Sequence, residues 1–137
     1  MNNNNIDDEK LLAELSQACD GLVWQSESDY PWQIVDWQNE NEVNRQILLQ
    51  HYEYHPQIRV LTKTLDSFFQ NAIAEQEWHD EIEQAEVKRY RNLYNWLKNN
   101  LKDIQVFLVG EVEVDVYVLG RTDRNKIIGL STKMIQT

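Results

Sequence analysis

The sequence predicts an α/β domain that closes on a C-terminal β-hairpin, and three observations carry that prediction. Apolar residues recur at steps of three and four near the N-terminus and again through the long stretch from Glu75 to Lys102, the spacing of amphipathic helices. From Glu111 to Leu119, Val112, Val114, Val116 and Val118 alternate with Glu111, Glu113, Asp115 and Tyr117, the period of two that suits a strand with one buried face. The chain has 137 residues, enough for one core and too few for two, so residues 1–137 are expected to form a single domain.

The polar run Met1 to Asn5 has no apolar side chain to bury and predicts a disordered tail over residues 1–5. Leu11, Leu15, Ala18 and Leu22 line one stripe of a first helix over Ile6 to Ala18, which Asp20-Gly21 stops by tolerating positive φ. Leu22-Val23-Trp24 then leads into the loop Ser26 to Pro31, where Pro31 disfavours helical geometry at Tyr30. Trp32 to Trp37 is aromatic and β-branched between turn residues, as a strand should be.

Asn41 is expected to cap a helix through Val43, Ile47 and Leu48 that ends before Pro56, and Ile58 to Leu61 to form a short strand. Thr64 or Asp66 caps a brief helix through Phe69. The longest helix, Glu75 to Lys102, buries Tyr90, Leu93, Tyr94, Leu97 and Leu101. Its acids cluster at the start and its bases toward the end, matching the helix dipole. Val106 to Val109 is a strand, Gly110 a turn or bulge, Gly120 to Asn125 a polar turn, and Ile127 to Ile135 the returning strand, which places the terminus near a sheet edge.

Composition narrows the function. With 23 acidic and 13 basic residues the net charge is −10, which argues against direct binding of nucleic acid and favours a basic partner. No stretch approaches the roughly 18 apolar residues of a membrane span, and no basic, then apolar leader opens the chain, so the expectation is a cytoplasmic protein without a membrane anchor. The single Cys19 excludes an intramolecular disulfide and fits a core position.

Several groups invite chemistry. His51 and His55 are four apart, as zinc ligands on a helix are, but a third ligand is missing and Pro56 breaks the helix. His79 fits a surface residue among acids. Glu27 and Asp29 suggest a catalytic pair, although a solvated turn capped by Ser26 and Ser28 is the blander explanation; an exposed carboxylate there also suits a partner's arginine in place of phosphate. Glu111, Glu113 and Asp115 form a row whose spacing imitates phosphates, though such rows are more often a solvated strand face. Trp78 stands amid Glu75, Glu77, Asp80 and Glu81, where an exposed ring can anchor an interface. The sequence lacks a Gly-rich phosphate loop, a Gly-x-Ser-x-Gly elbow and a Cys/His nucleophilic pair.

Asp20-Gly21-Leu22, Ser26-Glu27-Ser28-Asp29-Tyr30-Pro31, Asp66-Ser67-Phe68-Phe69, Trp78, Asn100-Leu101-Lys102, Gly110-Glu111-Val112-Glu113, Asp115-Val116-Tyr117-Val118, Ser131-Thr132-Lys133 and Thr137 together resemble the nuclease A inhibitor family. The likeness is loose over Gln38 to Leu61 and Arg121 to Asn125. The resemblance implies a three-layer α/β/α sandwich with a mainly antiparallel sheet, and an inhibitor, not an enzyme. Its partner is a sugar-nonspecific, metal-dependent ββα nuclease, bound by a monomer as a 1:1 heterodimer. It also implies three partner-binding residues: Thr137, reaching the nuclease's catalytic Mg²⁺ or similar divalent ion; Glu27, standing in for a substrate phosphate; and Trp78 as an aromatic contact. No cofactor is expected in the free protein. Two rivals remain: an acidic DNA mimic or adaptor using the Glu111, Glu113 and Asp115 face, and an enzyme using Glu27 and Asp29.

Overall fold

A computed structural model describes residues 4–37, 40–74 and 76–136. Among them the chain forms four helices and seven strands: α1 (Asn4–Cys19), β1 (Val23–Gln25), β2 (Asp29–Pro31), β3 (Gln33–Trp37), α2 (Arg45–His51), β4 (Val60–Lys63), α3 (Leu65–Phe69), α4 (Glu81–Asn100), β5 (Lys102–Val109), β6 (Glu113–Arg121) and β7 (Ile127–Ile135). Of the tail expected over residues 1–5, residues 1–3 lie outside the described residues, and α1 already begins at Asn4.

Helix boundaries follow their caps. Asn44, not Asn41, caps α2, its Oδ1 accepting from Ile47 N at 2.9 Å. Thr64, not Asp66, caps α3 through Oγ1 and Ser67 N at 3.1 Å. The long helix starts later than its composition suggests because Asp80 and Glu83 close a capping box. Asp80 Oδ1 accepts from Glu83 N at 2.8 Å, and Glu83 Oε1 accepts from Asp80 N at 3.2 Å. Trp78 therefore lies in the turn before α4 rather than inside the helix.

The main sheet is antiparallel throughout, in the order β3-β7-β6-β5-β4, and β1 and β2 pair separately as a small hairpin. The predicted C-terminal hairpin is β6–β7, running from Glu113↔Ile135 to Arg121↔Ile127. Its last strand is not at an edge, because Gln33–Trp37 pairs along the outer side of β7. The chain thus leaves the sheet from an interior strand.

Both faces of the sheet are buried, where the alternation of β6 alone suggested one. Val106, Leu108, Val114, Val116, Val118, Ile128 and Leu130 pack with α1, α3 and α4. Phe107, Val109, Tyr117, Leu119 and Ile127 pack on the other face with Val35, Trp37, Leu48 and Leu49. The physical reason is that the segment around α2 folds back over the second face. β6 also begins at Glu113, two residues later than expected, and Val112 stays outside it.

Leu101 alone separates α4 from β5, and α4 lies back along the sheet: Glu86, near its start, accepts from Gln25, whose neighbour Ser26 accepts from Ile135 at the end of β7. The start of α4 consequently lies at the same end of the molecule as the β5–β6 turn and the end of β7. Among the described residues no helix is long and apolar enough to cross a membrane.

Candidate functional site

The β1–β2 hairpin pairs Val23 with Pro31, Trp24 with Tyr30 and Gln25 with Asp29, leaving Ser26, Glu27 and Ser28 at its tip. Three residues per strand cannot hold a hairpin in water. This one is held by tertiary contacts. The Trp24 ring stacks on Phe68 with centroids 4.4 Å apart and meets Trp32, Phe69 and Tyr90 edge-on. Behind it, Trp32 Nε1 donates to the Tyr90 hydroxyl at 3.0 Å, and that hydroxyl donates to Val23 O. Burial pushes the Tyr90 phenol well above its ordinary pKa.

The hairpin is stitched to β7 at two points. The buried Thr132 hydroxyl lies 2.8 Å from Pro31 O, to which it donates, and 3.3 Å from Tyr30 O. At the tip, Ser26 Oγ accepts from Ile135 N at 3.1 Å and donates to Ser28 O at 2.8 Å. Glu27 is exposed beside that junction. One residue past β7, Gln136 N donates to Val112 O at 2.8 Å in the β5–β6 turn. That turn needs Gly110, whose φ is +113° and where a Cβ would stand 2.4 Å from Glu113 O. Thr137, the next residue, lies outside the described residues, and so does its expected role.

On its other side the hairpin meets α4. Gln25 Nε2 donates to Glu86 Oε1 at 3.3 Å. Partial burial, and then the charges of Asp29 and Glu83, raise the Glu86 carboxyl above the usual range, against the opposing pull of Arg89. A cavity of about 240 Å³ opens here, lined among others by Trp24, Gln25, His79, Glu83, Glu86 and Tyr90. His79 is half-buried in this wall, with Nδ1 accepting from Gln76 N at 3.2 Å. Trp78, whose ring meets His79 edge-on at 6.0 Å, is 75% exposed. The fold thus gathers Glu27, the end of β7 and Trp78 at one end of the molecule.

The acidic row does not assemble as its spacing suggests. Glu111 precedes β6. Glu113 accepts from Lys133 Nζ at 2.8 Å, which holds its carboxyl below the usual range. Asp115 is half-buried and accepts from the Tyr54 hydroxyl at 2.5 Å, with Tyr117 Oη a further 2.5 Å from Tyr54 Oη. Burial drives the Tyr54 hydroxyl up and pushes Tyr117 up to about 12. The cause is the covered second face, where a carboxylate partly withdrawn from water needs an internal donor. Glu27 and Asp29, for their part, stand exposed on the hairpin turn and not in a cleft.

The histidines are engaged separately. The His51 ring stacks on Trp37 at 4.3 Å, and His55 Nδ1 accepts from Gln57 N at 3.1 Å. Among the described residues no three His, Cys, Asp or Glu side chains converge as metal ligands. Cys19 is buried as expected, and burial raises its thiol.

Sequence reasoning missed Thr132 and the bond from Ser26 to Ile135, for which no local signal exists, and it missed two exposed apolar residues. Ile82 shares its angular position on α4 with Leu93, about three turns on, so periodicity marks it as core. It is 78% exposed, while Leu93 is fully buried, because the first turn of α4 overhangs the core. Val112 belongs to the alternating valines but falls in the turn and is 55% exposed. Residues 9–137 match the family model described as nuclease A inhibitor-like protein. No curated protein matches the chain.

Proposed function

Because the chain belongs to the nuclease A inhibitor-like family, we propose that it blocks a sugar-nonspecific, metal-dependent ββα endonuclease by entering its active site with Glu27 and Thr137. The two acidic groups imitate a nucleic-acid backbone. The Glu27 carboxylate takes the position of a substrate phosphate against basic side chains of the nuclease. The Thr137 α-carboxylate and hydroxyl, both hard oxygen donors, fit the open positions that a catalytic Mg²⁺ keeps for water and substrate. Trp78 supplies a large, nearly rigid apolar contact at the rim. The protein performs no catalysis of its own and acts as a monomer in a 1:1 complex. A three-layer α/β/α arrangement belongs to this reading, and the buried clusters on the two sheet faces support it.

The observation that carries this reading is the bond from Ile135 N to Ser26 Oγ, which ties the loop bearing Glu27 to the last strand, two residues before Thr137. A Glu27 loop that is already held in place binds without first losing the freedom of a loose segment. The test is plasmid and RNA digestion by purified ββα-metal nucleases with and without equimolar protein. Complete protection is expected for the intact chain. Deleting Thr137, or adding a C-terminal tag that turns its carboxylate into an amide, should weaken inhibition about thirtyfold or more, roughly 2 kcal/mol. A C-terminally tagged protein as potent as an N-terminally tagged one refutes the terminal contact.

A further inference from the structure

Ile82 and Val112 are exposed apolar side chains at the same end of the molecule as Glu27, Trp78 and the end of β7. Hydrogen bonds and helix spacing join them into one strip. Val112 O receives Gln136 N, Ile135 N is bonded to Ser26, Gln25 is bonded to Glu86, and Ile82 lies four residues before Glu86 on the same face of α4. Trp78, Ile82 and Val112 are more exposed than Ile34 at 36% and Leu61 at 43%, the other large apolar side chains on the described surface. A solvated isoleucine in core register has an obvious use if another protein covers it.

We propose that Ile82 and Val112 are partner-binding residues that extend the contact on the nuclease to either side of the acidic hairpin. The inference rests on the inhibitor reading above. Charge selects the occupant. Between the two apolar ends the strip presents Glu27, Asp29, Glu83 and Glu86, so a second copy of this chain would set carboxylates against carboxylates. A nuclease cleft built to hold phosphates offers the opposite charge, and its rim buries the apolar ends. Ile82 and Val112 thus supply contact area that is independent of the metal, while Glu27 and Thr137 supply the substrate mimicry.

The test measures binding of Ile82→Ala, Val112→Ala and the double variant to a panel of purified, catalytically inactive ββα-metal nucleases, beside wild type and Glu27→Gln. Both positions are exposed, so thermal unfolding should be unchanged. Expected are rises in Kd of about tenfold for Ile82→Ala and about fourfold for Val112→Ala, mostly through faster dissociation. Wild type binding tightly while all three variants bind equally well overturns this inference and leaves the inhibitor reading standing. Wild type binding no nuclease overturns the inhibitor reading itself, and this inference with it. A wild-type dimer in sedimentation that Ile82→Ala returns to monomer assigns the strip to a second copy and overturns the proposal.

Discussion

Replacing Ser26 by alanine tests whether the acidic loop must be pinned to the last strand. The hydroxyl accepts from Ile135 N at 3.1 Å and donates to Ser28 O at 2.8 Å; its contact with Ser28 N, at 3.4 Å, is long. All of these groups lie near solvent, so water replaces each lost bond, and the net cost sits at the low end of the usual range, about 0.5 kcal/mol apiece. Two effective bonds give about 1 kcal/mol, a fall in Tm of roughly 4 °C for a domain of this size. Binding should suffer more than folding. Once freed, the tip has to be ordered again by the nuclease, and fixing one residue's backbone costs about 1–2 kcal/mol, so Kd should rise roughly tenfold or somewhat more. Calorimetric titration of Ser26→Ala, Glu27→Gln and the double variant separates positioning from stability. Because Ser26 acts through Glu27, the double variant should bind no worse than Glu27→Gln. Fully additive losses, or a lowered Tm with unchanged Kd, would refute the pinning role.

Two further outcomes follow from the hairpin's supports. Tyr90→Phe removes the acceptor of the buried Trp32 Nε1 and the donor to Val23 O, and should lower stability by about 2 kcal/mol, since a buried indole N–H is left without a partner; an unchanged urea midpoint contradicts this. Glu86→Gln probes the raised carboxyl. A folded-state pKa above the unfolded value contributes stability only in acid and loses it as the pH rises through the folded value, so at neutral pH ionised Glu86 is a net cost. The glutamine keeps a carbonyl to accept from Gln25 while removing the repulsion from Asp29 and Glu83. It should melt higher than wild type at pH 7, with the gap closing as the pH drops through the carboxylate range. A gap that does not vary with pH rules out this account.

Much of the secondary structure is legible in the residues because its causes are local. The alternating valines of β6, the apolar stripe through Tyr90, Leu93 and Leu97, Gly21 at φ +77° after α1 and the turn before Ile127 all rest on steric and periodic rules within a few residues. The errors lie where two local signals compete. Asn41 and Asn44 are both credible caps, and only the geometry at Ile47 separates them. Glu75 to Asp80 has the charge of a helix start, yet Asp80 with Glu83 makes the better reciprocal cap and shortens α4 to Glu81. Of the candidate site, Glu27 and Trp78 could be named from motif and setting.

By itself the sequence determined most of the helical and strand segments, the acidic charge, the lack of an intramolecular disulfide and the family to which residues 9–137 belong. Tertiary structure alone decided that Ser26 meets Ile135, 109 residues away, that Asp115 accepts from Tyr54, and that Ile82 overhangs the core. Periodicity tells which way a side chain points around its own element. What that side chain meets depends on how far each element reaches past its neighbours and in what register they pair, and those are set by the packing of both sheet faces at once.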